Sequence, residues 1–415
     1  MAQPNKTKSV ILNENVIKAF GMSKVFRNLP TVGTSTNNKS KEKEKQSTSG
    51  NEELRITGMD IDNSGQYIVT CDNDNCIKFY DCLIPKRKQK KKKKEKQNRL
   101  QKTVYVKNFG VECIQFTHHN KCILMGCTKD HAIRYHSLHD NVYLRTFSGH
   151  TEKITHVNMH PLSDQFMSCS FDKSIRFWDL RTSDCIAKLE VPQRPTCAYD
   201  REGLVFAIGT GKNELKLYDS RQYGSGPFQT FSDFPTEPSH GRGDNAHNHN
   251  GHGANENDKS HSTNIPGTQR YEWSNLEFSP NGKQILISTR TNMLILVDAF
   301  EGNVIRTLES FDNSENKDSY GIFTPDNSFV CVPENGDIHF WDLNKYRDII
   351  WRGHPKKIER FLFNPKYCMA VSAAQHVAIW LPDAKKVQPQ VQNKDGTTNE
   401  NMSVIKSSLK GKGKD

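Results

Sequence analysis

Short runs of branched and aromatic residues recur along most of the 415-residue chain, separated by clusters of Asp, Asn, Ser, Gly and Lys. One stretch, FMSCSFDKSIRFWDLRTSDC at 166–185, has the pattern of a β-hairpin. A first run ends at Ser170, Phe171-Asp172-Lys173 follows, and a second run from Ile175 ends in Trp178-Asp179. Turn residues between two such runs are the signal of paired antiparallel strands. A single hairpin is marginal in water and leaves its apolar face uncovered. The pattern must therefore repeat if it is to build a core.

It does repeat. The same grammar is found in ITGMDIDNSGQYIVTCDNDNCIKFYDC (56–82), VECIQFTHHNKCILMGCTKDHAIRYHSL (111–138) and TCAYDREGLVFAIGTGKNELKLYDS (196–220). It returns in WSNLEFSPNGKQILISTRTNMLILVDAF (273–300), YGIFTPDNSFVCVPENGDIHFWDL (320–343) and GHPKKIERFLFNPKYCMAVSAAQHVAIWLP (353–382). The hairpin at 166–185 belongs to a unit that opens at Gly149-His150. The third runs end at Asp81, Leu138, Asp179, Asp219, Asp298, Asp342 and Leu381. Most steps are about 40 residues, the period of propeller repeats that close on Trp-Asp. The fold class is all-β: a seven-bladed WD-repeat β-propeller with disordered inserts and tail. Its expected limits are 16–382, after a flexible N-terminus at 1–15 and before a basic tail at 383–415. Each blade buries its faces on its neighbours, so the ring has to close. The strand-like segment VIKAFGMSKVFR at 16–27 is predicted to supply the outer strand of the last blade.

Only 34% of the residues are hydrophobic, which is low for a packed chain of this length. The deficit lies in three inserts and the tail. Residues 28–53 are rich in Asn, Ser, Thr, Lys and Glu, 84–102 contain PKRKQKKKKKEKQNR, and 232–269 contain HGRGDNAHNHNGHGANENDKSHS. None has enough apolar residues to offset the entropy of ordering, so all are expected to be disordered. The formal charge of +11 has the same source. The insert at 84–102 carries eleven Lys or Arg against one Glu, a net +10, and the tail from Lys385 to Asp415 adds +4. The remaining body is slightly acidic, which argues against a broad phosphate-binding surface. The run Lys86, Arg87, Lys88, Lys90, Lys91, Lys92, Lys93 and Lys94 has the density of a nuclear localisation signal. Any nucleic-acid contact would be made through this insert.

Eleven cysteines without a CxxC pair read as reduced thiols of a cytosolic or nuclear protein. No apolar run approaches the ~18 residues of a membrane span, and no secretory core opens the chain. Hence no membrane partner is expected.

Candidate chemistry is sparse. His150, Ser168 or Ser170, Asp172 and Trp178 sit where such repeats build a buried hydrogen-bond chain, with Asp172 capping a turn and His150 paired to it. No GxSxG elbow supports a nucleophile. GTGKNE at 209–214 lacks the phosphate-loop spacing and reads as a hairpin turn. His156 and His160, on or beside an innermost strand, are not echoed in other units. The histidines at 240, 247, 249, 252 and 261 lie in a Gly/Asn context without fixed geometry, so no metal and no cofactor are expected.

Several local runs narrow the class: SLHDNVYLRTFSGH (137–150), DREGLVFAIG (200–209), EWSNLEFSPNGKQILIST (272–289), VDAFEGNVIRTL (297–308) and the ending IWLP (379–382). With them the chain resembles the WD-repeat subunit of COMPASS-type histone H3 lysine-4 methyltransferase complexes. That subunit is shared with a phosphatase 1 and cleavage–polyadenylation assembly. The resemblance spans all seven units and excludes the inserts and tail. It implies a nuclear, chromatin-associated, non-catalytic scaffold. The implied partners are a SET-domain methyltransferase, phosphatase 1 with cleavage–polyadenylation proteins, and the phosphorylated tail of RNA polymerase II.

Candidate partner-binding residues, taken by position in the blade-entry segments, are Asp140, Tyr143, Arg145, Lys153, Trp351, Arg352 and Lys356. Tyr, Trp and Arg are the usual interface anchors; Tyr143 and Trp351 can also be packing residues of outer strands. The alternative reading is a substrate receptor of a cullin–RING ubiquitin ligase, on the WDxR run Trp178-Asp179-Leu180-Arg181. Arg181 in that run can equally close an ion pair at the strand end.

Overall fold

The structure of the chain is a computed structural model. It describes residues 12, 14–26, 54–82, 100–210, 213–232, 234, 272–290, 293–309, 320–344 and 348–383. These residues form seven four-stranded antiparallel sheets. Blade 1 covers 56–105, blade 2 113–147, blade 3 154–190, blade 4 196–231, blade 5 273–309 and blade 6 322–352. Blade 7 takes three strands from 360–382 and its outer strand from Phe20–Phe26. Blades 1 to 6 each run from an inner to an outer strand in chain order. The third strands end within one residue of the seven positions read from the sequence.

The expected closing strand is present. Phe20 pairs with Pro382, Lys24 with Ile379 and Phe26 with Val377. It is shorter than the segment at 16–27, because Glu14–Lys18 is a helical turn. Val16 and Ile17 are consecutive and both fully buried. A strand would send one of the two outward, whereas a helical turn directs both into the core between blades 6 and 7. Arg27 lies outside the described residues. The N-terminus is also tied further back than expected. Leu12 is buried and its N–H donates to Asp326 Oδ2 at 2.9 Å.

Three insert or tail boundaries move as well. Leu100–Tyr105 is the outer strand of blade 1, so 100–102 belong to the fold. Leu100 packs on the core of blades 7 and 1, and the Lys102 ammonium donates to the Leu138 carbonyl at 2.7 Å. Phe234, placed within the insert at 232–269, is 3% exposed and lies edge-on to Trp273. Asp383 opens the expected tail but donates its N–H to the Ala19 carbonyl at 2.8 Å. Residues 28–53, 84–99, 235–269 and 384–415, with the run Lys86 to Lys94, lie outside the described residues.

Blade-to-blade contacts are apolar, with a polar tie near the axis. Asp60 Oδ2 accepts the Phe116 N–H at 2.7 Å, from blade 1 to blade 2. Gln115 Oε1 accepts the Met159 N–H at 2.8 Å, and Glu277 Oε1 accepts the Phe323 N–H at 3.4 Å. Asn158 instead donates to the Cys197 carbonyl at 2.7 Å. Each of these four inner-strand side chains engages the backbone of the next inner strand. All eleven cysteines are unbridged.

Burial raises the Asp60 carboxyl to about 7, and burial raises that of Glu277 to about 8. The folded chain therefore holds protons that the unfolded chain loses near the ordinary value of about 4.3. Stability should fall as pH rises from that value through about 8. Gln at 277 keeps an acceptor for Phe323 and removes the charge. Glu277→Gln should melt like the natural chain near pH 5 and a few degrees higher near pH 9. Thermal melts across that range check this.

Candidate functional site

Two rims frame the ring. One carries the connections between blades and the turns between second and third strands; the other carries the remaining turns. The entry Gly149-His150 belongs to the first.

The predicted network is assembled in blade 3. Trp178 Nε1 donates to Ser168 Oγ at 2.9 Å, and Ser168 Oγ lies 2.7 Å from His150 Nε2. His150 Nδ1 lies 2.8 Å from Asp172 Oδ2. Burial holds the His150 imidazole below its ordinary pKa. Burial opposes the Asp172 charge, but hydrogen bonds from Ser174 and His150 keep its carboxyl below the ordinary range. A neutral imidazole beside a carboxylate fixes the directions. Nδ1–H donates to Asp172, and Nε2 accepts from the Ser168 hydroxyl, which in turn accepts from Trp178. Asp172 also accepts the N–H groups of Thr151 and Ser174, which fixes the turn through Lys173 at φ 61°. Ser170 is not in the chain; its hydroxyl donates to the Glu152 carbonyl. Ser168 is fully buried, so no substrate reaches the hydroxyl.

Blade 7 holds a shorter version. Trp380 Nε1 donates to Ser372 Oγ at 2.7 Å, and His354 Nε2 lies 2.6 Å from the same oxygen. Its turn is tighter and has no counterpart of Asp172. Without that carboxylate, burial lowers the His354 imidazole to about 4. The glycine before each histidine has a steric cause. A Cβ on Gly149 would come within 3.2 Å of the Trp178 ring, and one on Gly353 within 2.8 Å of Trp380.

The partner-binding candidates separate. Trp351 is 4% exposed, stacks on Phe20 at 4.6 Å, and donates Nε1 to the Ile17 carbonyl at 3.0 Å. It closes the ring and is not a surface anchor. Arg145 is also engaged internally: Nε donates to the Leu180 carbonyl at 3.0 Å and Nη1 to Ser183 at 3.2 Å. It joins the outer strand of blade 2 to blade 3. Tyr143 keeps one exposed side while its ring packs on Phe109 and His136. Asp140 is exposed in a turn of blade 2, where hydrogen bonds from His139 and Ser137 lower its carboxyl. Lys153, Arg352 and Lys356 share the entry rim. Lys153 pairs with Glu112 at 2.9 Å, and Arg352 faces Asp337 at 3.7 Å. Such exposed pairs are weak and a partner can exchange them.

Other motifs take structural places. Arg181 in the WDxR run folds onto Asp179, with Nη2 2.7 Å from Oδ2. His160 closes a turn, its Nδ1 accepting the N–H groups of Leu162 and Ser163. The inner-strand set Asp60, Gln115, Asn158 and Glu277 escaped the sequence reading. Its signal is a polar residue inside an otherwise apolar first strand.

Fold and network define a seven-bladed β-propeller of the WD-repeat class. The WD domain, G-beta repeat family matches residues 42–81 and 141–179. WD repeat-containing protein 82 of Drosophila melanogaster is 33% identical over 379 residues, 90% of this chain and 98% of that protein. COMPASS component SWD2 of Saccharomyces cerevisiae is 29% identical over 346 residues, 79% of this chain and 91% of its own length. Set1 complex component swd2 of Schizosaccharomyces pombe is 26% identical over 308 residues, 72% of this chain and 74% of its own. The chain belongs to the family of WD repeat-containing protein 82.

Removing the shared oxygen of the blade 3 network leaves Trp178 and His150 buried without it. Ser168→Ala should cost about 2–3 kcal/mol of stability, measured by denaturant unfolding.

Proposed function

We propose that this chain is a non-catalytic scaffold subunit of a Set1-type histone H3 lysine-4 methyltransferase complex. The observation that carries the reading is the alignment with its relatives, which runs through nearly the whole ring. Two of those relatives are named as components of such complexes. A scaffold needs a rigid frame with accessible rims, and binding concentrates on loops held by such a frame. The Ser168–His150–Asp172 arrangement is locked inside a blade, which fits a role without catalysis.

In this reading the chain is nuclear and chromatin-associated, and the SET-domain methyltransferase is its main partner. A phosphatase 1 and cleavage–polyadenylation assembly is a second setting. Contact with the phosphorylated tail of RNA polymerase II, direct or through partners, links both to transcription. The entry rim with Lys153, Arg352 and Lys356 is the proposed contact, with Asp140 and the open side of Tyr143 beside blade 2.

The test is affinity capture of the tagged full chain from nuclear extract. Recovery of a SET-domain methyltransferase is expected. The triple change Lys153→Glu, Arg352→Glu and Lys356→Glu should reduce it about tenfold or more, with the melting temperature held within a few degrees. Unreduced recovery by the triple variant would remove this rim from the reading.

A further inference from the structure

The rim opposite the Gly149-His150 entry has an apolar character of its own. Among the described large apolar side chains, the three most exposed are Leu162 at 76%, Phe300 at 73% and Phe228 at 59%. All three lie on this rim, in blades 3, 5 and 4. Contacts between successive blades join the segments that carry them. His160, two residues before Leu162, sets Nε2 3.0 Å from the Gly203 carbonyl of blade 4, beside exposed Leu204. Gly302, two residues after Phe300, lies so close to the Phe231 ring that a Cβ could not fit. Phe231 ends the strand that Phe228 precedes. The result is an apolar arc across three adjacent blades, the kind of surface that marks an interaction site.

A cavity of about 590 Å³ opens in the arc, walled by Leu204, Val205, Pro227 and Phe228, with Arg221 at its edge. Arg221 stands two residues after Asp219, as Arg181 stands two after Asp179. In both turns the arginine N–H donates to the aspartate Oδ1 at 2.8 Å. The side chains then diverge. Arg181 folds back onto its aspartate, whereas the Arg221 guanidinium has no partner among the described residues. Its donors form a planar fork that matches a carboxylate. The Asp219 carboxylate accepts the Arg221 backbone N–H, and no ion pair joins it to the Arg221 guanidinium among the described residues.

We propose that the rim of blades 3–5 is a second docking surface, for an extended peptide segment of a partner protein that carries a large apolar side chain beside a carboxylate. The apolar side chain enters the cavity against Phe228 and Leu204, and the carboxylate pairs with Arg221. Leu162 and Phe300 cover the flanking chain. A second copy of this protein is the competing occupant, because the same rim carries Asp219 beside Arg221. The surface lies on the opposite rim from Lys153, Arg352 and Lys356, so its test is separate from that of the entry-rim contact, and its residues in blades 3–5 do not include Asp140 or Tyr143 of blade 2.

The test uses the full chain and two fluorescein-labelled synthetic peptides with Leu-Phe at the centre, one flanked by Glu and one by Lys, read by fluorescence anisotropy. The acidic peptide should bind and the basic one should not. Phe228→Ala should weaken binding about tenfold, and Arg221→Glu should reverse the preference, both with unchanged melting temperatures. Equal binding of the two peptides, binding of neither, or an acidic preference that survives Arg221→Glu would overturn the proposal. So would a concentration-dependent dimer in sedimentation that Phe228→Ala abolishes, since a second copy would then be the occupant.

Discussion

Everything in this protein depends on joining the first ordered strand to the last. Phe20–Phe26 completes a sheet whose other strands lie more than 330 residues away in the chain. No blade is stable alone, because a four-stranded sheet of this kind has two apolar faces and each needs a neighbour. The junction is reinforced by side chains around it. Trp351 of blade 6 sits among Phe20, Phe340 and Trp380 and reaches the backbone of the helical turn. Asp383 ties the chain beyond the last strand back to Ala19.

Given a closed ring, the polar interior becomes intelligible. Asp60, Gln115, Asn158 and Glu277 stitch inner strands where apolar contact alone would let the blades slide. Buried acids cost stability at neutral pH; Asp60 and Glu277 are placed where the next inner strand offers an N–H, from Phe116 and Phe323. The Trp178–Ser168–His150–Asp172 chain plays a comparable part within blade 3, fixing the entry segment over the turn. A frame held in this way keeps its rims in place, which is what a scaffold requires.

The sequence carried much of this. Alternating runs and turn residues located all seven blades, since strand period and turn chemistry are local signals. The hydrogen-bond chain was legible because its members occupy fixed places in the repeat. Boundaries were less legible where tertiary contact overrides composition. Phe234 and Leu100 stand in polar surroundings and are ordered by cores that the local sequence does not reveal. Trp351 carried two readings from sequence, interface anchor and packing residue of an outer strand, and its place against Phe20 and the Ile17 carbonyl makes it the packing residue. The divergence of Arg181 and Arg221 was not legible either, for both turns share the Asp-x-Arg spacing and the same backbone hydrogen bond.

The most direct test of this account is the thermal unfolding of the chain lacking residues 1–26, followed by circular dichroism. If closure by Phe20–Phe26 holds the ring, the truncated chain should lose its single cooperative transition and begin to melt at much lower temperature. A sharp transition at the temperature of the full chain would contradict the account, because the seven blades would then hold together without the strand that is said to join them.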